Sequence, residues 1–75
     1  MQSPETVQLL HMLLARLERV SVDSYWAHRA SGVRGSLLRA VEALEAGQPV
    51  SAPVLQQVVD QGFRILERAA QERAS

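Results

Sequence analysis

Cysteine and lysine are both missing from this 75-residue chain, and each absence removes a class of explanation. Without cysteine there is no disulfide to staple a small fold and no thiolate for nucleophilic or metal chemistry. Without lysine there is no side-chain amine for covalent catalysis. All eight basic residues are arginine, a bias that the coding preference of the source is enough to explain. Histidine occurs only twice, on separate segments, which is too few donors for a metal site. Net charge is also missing: eight arginines balance eight acids, so no global field attracts nucleic acid or a membrane surface. No apolar run approaches a membrane span. Pro4 and Glu5 stand where a secretory leader would carry positive charge, and His11 and Arg16 interrupt the apolar stretch that follows. The expectation is a cytoplasmic protein with no membrane association.

What is present is helical periodicity. Ser3, Pro4 and Glu5 form an N-cap, a proline at the first helical position and an acid in the first turn. Val7, Leu10, Leu14 and Leu17 then step at helical spacing, and Leu9, Leu13 and Val20 widen the apolar stripe to roughly half the circumference. Ser21, Val22 and Asp23 interrupt the pattern, with Ser21 or Asp23 available to cap the next helix. Trp26, Ala30, Val33, Leu37, Ala40 and Leu44 lie on one face of a second helix, which Gly47 and Pro49 end. Ser51 caps a third, with Pro53 in its first turn. Its broad face carries Val54, Leu55, Val58, Val59, Gly62, Ile65, Leu66 and Ala69.

The spacing therefore predicts an all-α fold, an up-down-up three-helix bundle with a long central helix. The expected helices cover about 4–20, 24–46 and 52–70, in one small domain over 1–75 with a mobile tail at 71–75. No period-two alternation predicts a strand. A domain this small covers only roughly 60% of the surface its unfolded chain exposes, so tight helix packing or self-association is expected to supplement the core.

Two glycines fall inside the second helix, and each costs about 1 kcal/mol relative to alanine. Gly32 lies beside Ser36, Ala40 and Ala43 at the edge of the core stripe, where close packing within the bundle explains it. Gly62 on the third helix has the same reading. Gly35 lies opposite the core stripe, on the side of His28, Ser31, Leu38 and Arg39. A solvated face does not need glycine, so Gly35 and Leu38 together predict a second contact surface, such as a two-fold helix crossing in a homodimer. A bend at Gly35 is the alternative. Tyr25, Trp26, His28, Ser31, Gly35, Leu38 and Arg39 are the interface candidates, and the partner is a second copy or another protein.

Other chemistries are weaker. Residues 11–40 hold five arginines and two acids, and Arg29, Arg34 and Arg39 could bind an anion. They advance five residues at a time, however, and spiral round the helix without forming one patch. The helices are too long, and the third begins too apolar, for a helix-turn-helix reader of DNA. Nucleic-acid binding is therefore disfavoured. Catalysis is not expected: His28 has no sequence-placed carboxylate to orient it, Glu42 and Glu45 show no shared apolar pocket, and GVRG lacks the preceding strand of a phosphate loop. His11 is a boundary residue at the edge of the first apolar face. No cofactor is implied.

Overall fold

The computed structural model describes residues 4–74. It is an all-α three-helix bundle of α1 (Pro4–Glu18), α2 (Ala27–Glu45) and α3 (Ala52–Ala74), measuring 42 × 17 × 16 Å. Each helix packs against both others. The chain runs up, down and up. The start of α2 meets the end of α3 where the Tyr25 backbone N–H donates to Glu72 Oε1 at 3.2 Å. The end of α1 lies beside the C-terminal half of α3, where Arg16, Arg19 and Val20 face Leu66, Ala69 and Ala70.

The apolar stripes converge as their spacing requires. Leu10, Leu13 and Leu17 of α1, Ala30, Leu37, Ala40 and Val41 of α2, and Leu55 and Ile65 of α3 form the core. Trp26, Val33 and Leu44 of the expected α2 stripe are half-buried against it. Val54, placed by the sequence on the inner face of α3, is instead half exposed in the first turn, while its neighbour Leu55 is buried in the core.

The ends of the elements differ from expectation for local reasons. Arg19 and Val20 leave α1 through tight turn bonds to Arg16 O and Leu17 O, so that helix ends at 18 rather than 20. Neither Ser21 nor Asp23 caps α2. The Ser21 hydroxyl accepts the Asp23 N–H and the Ser24 hydroxyl accepts the Trp26 N–H, folding 21–26 into consecutive turns and delaying α2 from 24 to 27. Trp26 occupies the N-cap position without a side-chain cap. At the other end Gly47 has φ of 77°. Its N–H donates to Leu44 O and that of Gln48 to Ala43 O, the paired bonds of a Schellman stop. Helix α3 continues to Ala74, past the expected end at 70, with Glu72 on its last turns tied to Tyr25. At 23 residues it, not the 19-residue central helix, is the longest. Ser3, the expected cap of α1, and Ser75 lie outside the described residues.

Helix α2 has poor intrinsic support. Its first turn has no acid and its last turn no base; Arg29 stands near its N-terminus and Glu42 and Glu45 near its C-terminus, opposing the macrodipole at about 0.3–1 kcal/mol each. Its glycines add to this. The close-packing explanation of Gly32 is overturned, because Gly32 is exposed and a Cβ built there meets nothing within 4 Å. Gly32→Ala is therefore expected to stabilise the fold by about 0.5–1 kcal/mol through helix propensity alone. Thermal denaturation followed by circular dichroism checks this; an unchanged or lowered midpoint would show that the backbone at 32 needs glycine.

Candidate functional site

Helix α2 presents two adjoining surfaces, one facing solvent and one facing the flank of α3. On the outward side, His28, Ser31, Leu38, Arg39 and Glu42 are all exposed around half-buried Gly35. A Cβ at Gly35 would meet only the flexible end of Arg39, with Nη1 at 3.6 Å. Leu38 leaves 48% of its surface exposed. The helix runs unbroken through 35.

The second surface is a groove of about 300 Å³ lined by Trp26, Arg29, Gly32, Val33, Ser36, Gln61, Arg64 and Ile65. Its floor is apolar because half-buried Val33 and the core residue Ile65 reach it. Gly32 contributes no side chain, which leaves the groove open. Trp26, half-buried against the core, forms one end. The Arg29 guanidinium lies over the Trp26 ring, 5.5 Å from its centroid, a cation–π arrangement that restrains a long side chain. Tyr25 stands edge-on to the same ring at 5.3 Å and is 80% exposed. Farther along, Ser36 Oγ donates to Gly32 O at 3.4 Å and accepts from Arg39 Nη2 at 3.2 Å, which holds Arg39 at the rim.

The arginines thus sort differently from the sequence expectation. Each five-residue step turns about 140°, but two steps bring Arg39 back to within about 80° of Arg29, so these two flank Ser36 while half-buried Arg34 lies outside the groove. The cation missing from the sequence reading is Arg64. It comes from α3, and only the packing of α3 against α2 brings it to Arg29; no spacing within one helix could have signalled it.

Elsewhere the polar groups are modest. His11 Nε2 of α1 lies 3.7 Å from Glu45 Oε2 of α2, with both side chains more than half exposed, the kind of surface pair that contributes little. His28 is exposed on the outward surface, apart from His11. Among the described residues, no group of three His, Cys, Asp or Glu is placed to hold a metal ion, and no helix is long and apolar enough to cross a membrane. No protein-family model, curated protein or solved structure matches the chain.

Proposed function

We propose that this chain is a non-enzymatic protein-interaction module that self-associates through the outward surface of α2. The observation that supports it is the self-complementarity of that surface about Gly35. His28 and Glu42 lie seven residues to either side of Gly35, and Ser31 and Arg39 four to either side. A second α2 crossing antiparallel at Gly35 brings His28 of one copy to Glu42 of the other, twice, by the two-fold symmetry of such a contact. It also sets exposed Leu38 against the small residues Ser31 and Gly35 of the second copy, where a missing Cβ allows the backbones to approach. The reversed charge polarity of α2 becomes favourable in this arrangement, since each basic N-terminal half lies along an acidic C-terminal half. Dimerisation would add burial to a core limited by chain length.

Sedimentation velocity over a concentration series tests this. Gly35→Gln is expected to be monomeric where the native chain is dimeric. His28→Glu and Glu42→Arg are each expected to weaken association about tenfold, and the double variant to restore it, as paired charges across an interface do. A native chain that stays monomeric at every concentration, or a double variant no better than the singles, would overturn the proposal.

A further inference from the structure

The groove between α2 and α3 adjoins that crossing and shares only Arg39 with it, at the rim, and its chemistry points to a different occupant. We propose that it binds an acidic segment of a partner protein, with carboxylates flanking one or two apolar side chains. Two arginines from different helices, Arg29 and Arg64, stand at an apolar floor of Val33 and Ile65, and no carboxylate lines the groove. A third, Arg39, is held at the rim by Ser36.

The nearby acids lie outside the groove's lining. Asp60 accepts the Gln56 Nε2 at 2.8 Å and lines an adjoining depression together with Gln61 and Arg64, and Glu72 accepts the Tyr25 amide. The only ion pair among the described residues is His11–Glu45, on the opposite flank of α2. The groove's own lining is therefore cationic within a chain of zero net charge, with Asp60 beside Arg64 in the adjoining depression as an acid a ligand would have to outcompete. Because Arg29 is already stacked on Trp26, binding a carboxylate there orders less side chain than recruiting a free arginine would.

The shape favours a polypeptide over a small anion. From Trp26 to Ser36 the groove follows α2 for about 15 Å at 1.5 Å per residue, open along its length. A small molecule lying there would leave much of its surface in water, whereas a peptide can place an apolar side chain on Val33 and Ile65 and carboxylates at both rims. This is the helix-in-groove mode of recognition, with arginine forks supplying orientation. Gly32 has a use here that packing within the bundle did not give it: a larger side chain at that position would stand in the trough.

Trp26 is the only tryptophan and lines the groove, so its emission reports occupancy. The test titrates a short blocked peptide of glutamates flanking leucines into the Gly35→Gln chain, which removes any contribution from self-association. Calorimetry gives the affinity independently. Saturable binding is expected, lost when glutamine replaces the glutamates, weakened by salt, and weakened about tenfold in Arg29→Gln and in Arg64→Gln. Both arginines are exposed, so circular dichroism should show both variants folded. The proposal is overturned by no saturable response, by equal affinity for the glutamine peptide, or by indifference to both substitutions. Octanoate or a single-stranded oligonucleotide binding as tightly as the peptide would also overturn it, by assigning the groove to a small carboxylate or to nucleic acid. The self-association proposal stands or falls separately, on sedimentation of the native chain and its His28 and Glu42 variants.

Discussion

Leu37→Ala is expected to lower stability by about 3 kcal/mol, within the range of roughly 2–5 kcal/mol seen when a buried leucine is cut to alanine. Leu37 is fully buried at the middle of α2, the helix packed against both neighbours. A void there removes contacts from the centre of the core, and three rigid helices cannot collapse around it without shifting the registers that bury Leu13 and Ile65. A chain of this length has a total stability of about 4–11 kcal/mol, so the loss is a large share of the whole. The midpoint should fall by about 12–24 °C. Urea denaturation gives the free energy directly, and a change below about 1 kcal/mol would mean that the core repacks around the deletion.

Gly62 yields the second large effect, through a contrast of sign. It is buried on α3, and a Cβ built there lies 3.6 Å from both terminal methyls of Leu13 and 3.8 Å from Leu17 Cδ1. Those are ordinary contact distances, so one methyl group fits. Gly62→Ala is expected to stabilise by about 0.5–1 kcal/mol, from helix propensity and added contact. Gly62→Leu is expected to destabilise by about 1–3 kcal/mol, because Leu13 and Leu17 are themselves buried and have nowhere to retreat. Together the variants span about 1.5–4 kcal/mol at one position. Thermal or urea denaturation of the two proteins side by side is the check. If both destabilise, the helices are closer at 62 than described; if both are neutral, α1 and α3 slide freely there.

The contrast also shows where sequence pattern succeeds. Leu10, Leu17, Leu37 and Ile65 were legible as core because apolar spacing along one helix identifies its inner face. Gly62 was legible as an inner position for the same reason. What spacing does not give is how far each helix rotates within the bundle and which edge of its stripe a neighbour covers. Gly32 and Gly62 look alike on their helices, yet Gly62 sits under two leucines while Gly32 is open to solvent. Arg64 lies on the polar side of α3 in sequence, and becomes a partner for Arg29 only once α3 is laid along α2. The boundaries of α2 shifted because Ser21 and Ser24 make turns with their own neighbours rather than a cap, a competition between local hydrogen bonds that composition does not resolve. The longer α3 agrees with the helix propensity of Gln71, Glu72, Arg73 and Ala74, and the Tyr25–Glu72 bond adds a contact across the chain.

Helix α2, reverse-charged, glycine-bearing and without a side-chain cap at its N-terminus, carries both surfaces, and this sets its behaviour in time. Weakened by two glycines and by charges that oppose its dipole, it leans on α1 and α3, so its amides should exchange with solvent through local openings sooner than those facing the core from α1. Anything that settles on α2 closes those openings. Occupancy of either surface would then appear as slowed exchange spread along 27–45, beyond the residues touched, and a signal at one surface would be felt at the other through the order of the helix they share.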